Sequence, residues 1–242
     1  MEKLFKGLKE TLLPGSCKLC LTQLNHEQTS FCGDCTDELP HLQNQCPCCA
    51  LPLIFSGICP QCQKKPPAYR RCIAAFSYQY PINKSIVHIK SNAYAPELKQ
   101  LSLRLADIIL QSYNMEPIPE VLIPMPLHWL KQLRRGFNQS QLITNLVAGK
   151  IPNCTIRNDI CSRKSYRIDQ HLQTRQQRWR SIADSFSVRD QSEIKGSRVA
   201  LIDDVVTTGA TVTAATKKLL EIGIKSVDIW CIARTGWHYN AS

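Results

Sequence analysis

The sequence predicts an α/β protein, a mostly parallel sheet with helices on both faces, preceded by a small cysteine-rich domain. Three observations lead there. Ten of the 13 cysteines fall between Cys17 and Cys72; beyond Cys72, strand-like apolar runs alternate with helix-like periodicities; and one such run leads into an Asp-Asp pair followed by a Thr/Gly-rich loop. At roughly 150 residues per domain, 242 residues hold one full domain and something smaller. The division is expected at Lys64-Lys65-Pro66-Pro67, giving 1–67 and 68–242, with the consecutive prolines favouring an extended connection that separates the two parts.

At the start of the chain, Leu4, Phe5, Leu8 and Leu12 share one face of a short helix stopped at Pro14-Gly15. Their spacing interrupts any apolar run long enough for a signal peptide, and no stretch reaches the ~18 apolar residues of a membrane span. A cytoplasmic protein without membrane insertion is expected. In a reducing compartment, clustered cysteines imply metal ligation or buried thiols more often than disulfides.

Four pairs share one spacing: Cys17-x-x-Cys20, Cys32-x-x-Cys35, Cys46-x-x-Cys49 and Cys59-x-x-Cys62. A two-residue gap lets both thiolates of one turn reach the same tetrahedral ion, and a second turn closes a four-thiolate structural site. Consecutive pairs give one or two zinc sites, a double zinc ribbon, with no open position for catalysis. A segment this poor in large apolar residues needs the metal to fold. The competing reading is a redox dithiol. Cys46-Pro47-Cys48-Cys49 offers three thiols for two positions, and the spacing of the other pairs selects Cys46 and Cys49.

In the larger part, 73–80 reads as a strand, 86–90 and 98–113 as helices, the second with Leu98, Leu101, Leu105, Ile108 and Ile109 on one face. Short apolar strands follow at 121–123, 199–202 and 227–233, with a helix at 142–147. Alternating strands and helices make a parallel sheet, whose ligands gather at the carboxyl ends of the strands.

The motif expected at that edge begins where 199–202 runs into Asp203 and Asp204, followed by Val205, Val206, Thr207, Thr208, Gly209, Ala210 and Thr211, and then by an amphipathic helix ending near Gly223. Two carboxylates at a strand end can accept hydrogen bonds from a sugar diol. Small residues at a helix N-terminus leave backbone N–H groups and the positive end of the helix dipole facing one phosphate. A ribose 5-phosphate spans the two.

The run VALIDDVVTTGAT resembles the signature of type I phosphoribosyltransferases for phosphoribosyl pyrophosphate (PRPP). Together with Pro124-Met125-Pro126-Leu127, Arg134-Arg135-Gly136-Phe137-Asn138-Gln139 and the double ribbon, nearly the whole chain resembles the ComF/GntX family of competence-associated, phosphoribosyltransferase-like proteins. The resemblance implies that Asp203 and Asp204 are the catalytic acids and that 206–211 is the PRPP phosphate loop. Pro124, Met125 and Pro126 would form a pyrophosphate loop donating backbone N–H groups. Diphosphate, acceptor or nucleic-acid contacts would come from Lys90, Arg134, Arg135, Asn138, Gln139, Arg163, Gln170 and Arg178. In the basic stretch 163–186, His171, Arg180 and Phe186 also fit the family pattern, as a lid or a nucleic-acid surface. The sequence departs from that pattern at Ala50, Ser91 and Ser181.

The net charge of +11 and pI of about 9.1 suit phosphate-rich partners, although a solvated helix face accounts equally for the charge run at 157–180. The expected activity is Mg²⁺-dependent transfer of phosphoribosyl from PRPP to an unidentified nitrogen acceptor, associated with DNA uptake in natural transformation. A non-catalytic accessory factor that senses PRPP or binds single-stranded DNA, working with other DNA-uptake or recombination proteins, is the alternative; an interaction module on a transferase scaffold is a third. No general base is evident, and His88, His128 and His171 are noted only because they adjoin family motifs.

Overall fold

The computed structural model describes residues 15–25, 28–163, 185–189 and 191–236. The N-terminal helix, Gln170, His171, Arg178, Arg180 and most of the basic stretch lie outside the described residues.

The two cysteine-rich units are built alike. In the first, Cys17 N–H donates to Thr22 O and Leu21 N–H to Cys17 O; in the second, Cys46 N–H donates to Leu51 O and Ala50 N–H to Cys46 O. Each knuckle is followed by a residue in the left-handed region, Leu21 (φ 63°) and Ala50 (φ 54°). This backbone favours glycine at that position, because a Cβ is crowded there. Short helices α1 (Gly33–Asp37) and α2 (Pro60–Lys64) carry the return pairs.

The larger part follows in the order β1 (Cys72–Ser77), α3 (Ile82–Ser91), α4 (Pro96–Ser112), β2 (Val121–Pro124), α5 (Trp129–Arg135), α6 (Gln139–Ala148) and β3 (Thr155–Ile156). It continues with β4 (Cys161–Arg163), β5 (Phe186–Val188), β6 (Arg198–Val206), α7 (Ala210–Glu221) and β7 (Ser226–Arg234). Five strands form one sheet in the order β1-β7-β6-β2-β3, every neighbouring pair parallel. The remaining two, β4 and β5, form a separate antiparallel pair.

Burial on both faces explains the near-continuous apolar strands. Ala200 and Ile202 of β6, with Trp230 and Ile232 of β7, pack under α3, α4 and α6, whereas Val199, Leu201, Val227, Ile229 and Cys231 pack under α7. Helix α4 starts on Pro96, suited to a first helical position, and buries Leu98, Leu101, Leu105 and Ile109 at helical spacing. Each such side chain contributes about 1.5–3 kcal/mol of transfer free energy.

The expected separation of ribbon and sheet does not hold. Cys17, Leu24, Phe31 and Leu39 join the core on one face, and Cys46, Ala50, Leu51 and Cys59 join the core on the other. Edge strand β1 is covered: Cys72 N–H donates to Cys48 O, Ser77 N–H to Pro40 O, and His41 bridges antiparallel to Phe76. An uncovered edge leaves unpaired backbone groups in water, and the cysteine-rich part caps it. Gln100 of α4 accepts from Ser30 and Phe31 N–H at 3.0 Å each, and Lys18 pairs with buried Glu97. Two prolines stiffen the chain locally but do not oppose this much apolar burial.

Candidate functional site

Strand β6 runs four residues beyond its expected end, so Asp203 and Asp204 lie within it. Their backbones stay in the ladder with β7, Asp203 opposite Cys231. Asp203 is half-buried; its Oδ1 accepts from Ser140 Oγ at 3.0 Å and from the Asp204 N–H at 2.9 Å. Asp204 is buried, and its Oδ2 makes a 3.1 Å ion pair with Lys90 Nζ from α3 without a well-directed hydrogen bond. The acids therefore do not stand side by side in solvent: Asp203 is half-buried against Ser140, and Asp204 is matched by a lysine.

Burial, and then the neighbouring Asp204 charge, push the Asp203 carboxyl up to about 7, against the opposing effects of the Asp204 N–H, Ser140 and Lys90. The native pKa lies above the ~3.9 of an unfolded aspartate, so the native state holds the extra proton. Its stabilising contribution is full below about pH 4 and is lost as pH rises through about 7. Asp203→Asn, which keeps an acceptor for Ser140, is expected to raise stability at pH 8 by more than at pH 5. Urea denaturation at both values checks this, and equal shifts would refute it.

Beyond β6 the chain turns through exposed Thr207 and Thr208 into Gly209, whose φ of +77° a side chain rarely adopts, and enters α7. No side chain caps α7 in the usual way; Thr208 Oγ1 accepts only a long 3.4 Å bond from Ala210 N–H. Val206 is buried, and first-turn N–H groups such as that of Thr211 have no intrahelical acceptor.

At segment 124–126 the structure corrects the expectation of backbone donors. Pro124 and Pro126 have no N–H, and Met125 gives its own to Ile202 O at 2.8 Å, continuing the pairing of β2 with β6. Asn138 and Gln139 are likewise engaged internally. Asn138 caps α6, accepting from Ser140 N–H at 3.0 Å, and donates to Met125 O at 3.0 Å; buried Gln139 accepts from Arg135 Nη1 at 3.1 Å. Asn138 thereby fixes the first turn of α6, from which Ser140 reaches Asp203, while Gln139 is held by Arg135. Arg134 is exposed, and Arg163 lies 5.7 Å from the Phe186 ring centre. His88 Nδ1 sits 3.0 Å from a Glu97 oxygen, and His128 Nδ1 accepts from Leu130 N–H at the start of α5.

Sequence reasoning missed Ser140, although its place after Asn138-Gln139 put it on a helix start, and it missed Arg234. That arginine terminates β7, is buried, and donates to Val206 O at 3.1 Å and to Thr207 O. No local pattern marks it.

The eight paired cysteines gather as expected: Cys17, Cys20, Cys32 and Cys35 in one group, Cys46, Cys49, Cys59 and Cys62 in the other, the sulfurs of each group all within 4.8 Å of one another. Four thiolates at ~2.3 Å from one ion stand about 3.8 Å apart, and the Cys20–Cys32 and Cys49–Cys59 sulfur pairs lie at 3.5 and 3.7 Å. Cys17 and Cys46 thiols are drawn down to about 6: burial opposes ionisation, but N–H groups of Cys20 and Cys32, and of Cys59 and Cys49, outweigh it. Cys62 is pushed well up by burial and by Cys49 and Cys59. Four close thiols cannot all ionise without a cation, so the donor set fits zinc. Among the described residues, no comparable group gathers at Asp203 and Asp204, and no helix is long and apolar enough to cross a membrane.

Residues 133–239 match the family model of the phosphoribosyl transferase domain. DNA utilization protein YhgH of Salmonella typhi is 29% identical over 230 residues, covering 92% of this chain and 98% of that protein. Competence protein F of Haemophilus influenzae is 27% identical over 225 residues, covering 91% and 90%. Competence protein ComFC of Bacillus subtilis is 22% identical over 226 residues, covering 86% and 89%. Similarity along nearly the full length of these proteins, a match to the phosphoribosyl transferase domain over 133–239 and two four-cysteine groups ahead of it support the resemblance of the chain to the ComF family.

Proposed function

We propose that the protein binds PRPP at the carboxyl end of β6 and transfers its phosphoribosyl group to a nitrogen acceptor during DNA uptake. The observation that carries this reading is Asp203: a half-buried acid on a central strand, three residues before a loop that turns at Gly209 into a helix with no side-chain N-cap. The carboxylate of Asp203 accepts a ribose hydroxyl, and the N–H groups after Thr207 take the 5-phosphate. The diphosphate lies toward segment 124–126, with charge from Lys90, Arg134 and Arg135 in place of the backbone donors that the prolines lack. Magnesium bound with PRPP would supply charge neutralisation for the departing diphosphate, while Lys90, Arg134 and Arg135 are this chain's own cations for it. The bond from the anomeric carbon to the diphosphate oxygen breaks with its electron pair on that oxygen; a nitrogen lone pair forms the new bond, and the nitrogen's proton leaves to solvent. Zinc in both cysteine groups is structural. A cytoplasmic location is supported by eight cysteines gathered into two groups that fit a metal, an arrangement suited to a reducing compartment.

A specific surface favours the accessory reading. Helix α5 buries none of its residues, exposing Trp129, Leu130 and Leu133 beside Lys131 and Arg134, and the His128 and Trp129 rings stack 6.1 Å apart. Aromatic rings among cations suit single-stranded nucleic acid.

Titration calorimetry with Mg-PRPP tests the first reading. Wild type is expected to bind, and the folded Asp203→Asn/Asp204→Asn variant to bind about 100-fold or more weakly, since each lost charged hydrogen bond costs roughly 1.5–3 kcal/mol. Wild type that binds no PRPP sinks the reading. Pyrophosphate release with candidate acceptors marks a transferase. Binding of single-stranded DNA that survives the double substitution but not Trp129→Ala marks the accessory role.

A further inference from the structure

Arg234 is a buried cation that, among the described residues, has no carboxylate partner. Its Nε donates to the carbonyl of Cys49 at 2.8 Å, and its Nη1 reaches Val206 O at 3.1 Å, Thr207 O, and Thr235 O at 3.0 Å. One guanidinium thus bonds a ligand residue of the second cysteine group and the first two carbonyls of the loop before α7. Tyr69 makes a second contact: its hydroxyl lies 3.5 Å from where a Cβ of Gly209 would stand. Cys72 N–H, bonded to Cys48 O at 2.9 Å, ties the same knuckle to β1.

This arrangement has an electrostatic and a geometric consequence. A buried charge is costly without a counter-charge, and four thiolates around one divalent cation leave two net negative charges beside Arg234. Loss of the metal removes that counter-charge and frees the knuckle whose Cys49 carbonyl accepts from Arg234 Nε. In a planar trans peptide the C=O and N–H point in opposite directions. Carbonyls of Val206 and Thr207 drawn toward Arg234 therefore turn the N–H groups of Thr207 and Thr208 away from it, toward the loop's mouth.

We propose that Arg234 is a positioning residue that couples the metal state of the second cysteine group to anion binding in the loop at 206–211. The ligand half of the coupling rests on the phosphate-loop reading above; the metal half does not. Coupling is reciprocal: an anion in the loop holds the metal in Cys46, Cys49, Cys59 and Cys62 as firmly as the metal prepares the loop.

The test uses the full chain loaded with zinc. Alkylation of each cysteine in excess chelator, mapped by mass spectrometry, reads the two groups separately, with and without ribose 5-phosphate. Hydrogen exchange of the 206–212 amides is followed in parallel. In wild type, ribose 5-phosphate is expected to slow alkylation of Cys46, Cys49, Cys59 and Cys62 roughly tenfold while leaving Cys17, Cys20, Cys32 and Cys35 little changed. Arg234→Met with its zinc retained should lose that slowing and exchange its loop amides faster, and Arg234→Lys should recover part of both. If Arg234→Met does not fold, Arg234→Lys is compared directly with wild type. Ligand slowing that persists in the variant, or wild-type loop exchange indifferent to metal loss, overturns the proposal. If ribose 5-phosphate fails to bind wild type at all, the phosphate-loop reading falls, and the exchange measurement alone decides whether the metal orders the loop through Arg234.

Discussion

Complete chelation of the metal is expected to abolish the fold of the two cysteine-rich units and to lower the melting temperature of the whole chain in one transition. Zinc supplies on the order of 10 kcal/mol per site in isolated peptides, against a total stability of about 5–15 kcal/mol for a typical domain. The cysteine-rich units could melt alone if they were tethered, but they fill both cores of the sheet. Cys17, Leu24 and Phe31 lie with α3 and α4, and Cys46, Leu51 and Cys59 with α7. Their loss uncovers β1 as well. Circular dichroism melts, run alongside zinc release, check the outcome; an unchanged transition after full extraction would refute it. The groups should also rank: Cys46→Ser, at a fully buried sulfur, should destabilise more than Cys20→Ser, at an exposed one.

Asp228→Ala should cost about 3 kcal/mol of stability and leave ligand affinity unchanged. Asp228 is buried near the start of β7, and Arg70, Tyr113 and, at 3.6 Å, Arg71 Nε meet on it. Arg70 donates to it through a fork, Nε to Oδ1 at 2.8 Å and Nη2 to Oδ2 at 2.5 Å. The Tyr113 hydroxyl donates to Oδ2 and receives Trp230 Nε1–H at 3.1 Å, while Arg71 stacks 4.0 Å from the Tyr113 ring centre. Burial and the Asp228 charge hold the Tyr113 hydroxyl well above its ordinary pKa. Removing one member of a buried charged network costs about 3–5 kcal/mol. The lower figure applies because Arg70 keeps 38% of its side-chain surface exposed and can rehydrate. Asp228 and Arg234 sit six residues apart on one strand, about 20 Å at ~3.3 Å per residue, so the cost is local to the end remote from the ligand. Urea denaturation and PRPP calorimetry separate the effects. A change below about 1 kcal/mol, or a tenfold loss of affinity in the folded variant, would contradict the assignment.

Local chemistry made much of this protein readable. The two-residue gaps between cysteines give the four-thiol grouping directly, because ligand spacing is a property of one turn, and Cys48 is left out as the spacing requires. The strands at 121, 199 and 227 were visible as apolar runs, since strands buried on both faces need apolar residues throughout. The segments that escaped have weak local signals: β3 is two residues long, and α5 has no buried face to impose a period. The end of β6 was misplaced because Asp203 and Asp204 read as a strand stop, whereas pairing with β7 continues to Val206.

Residue types and their intervals fixed the metal-ligand sets, the parallel α/β architecture and the strand, acid pair, loop and helix succession, all consequences of bonds and periodicities within a few residues of chain. Contacts between residues far apart in the chain settled the rest. Asp204 is matched by Lys90 and Asp203 by Ser140, Met125 has no free N–H, and Arg234 joins Cys49 to the loop before α7. The physical reason is burial: a polar group removed from water must find its partner wherever packing has put one, and no local pattern records where that is.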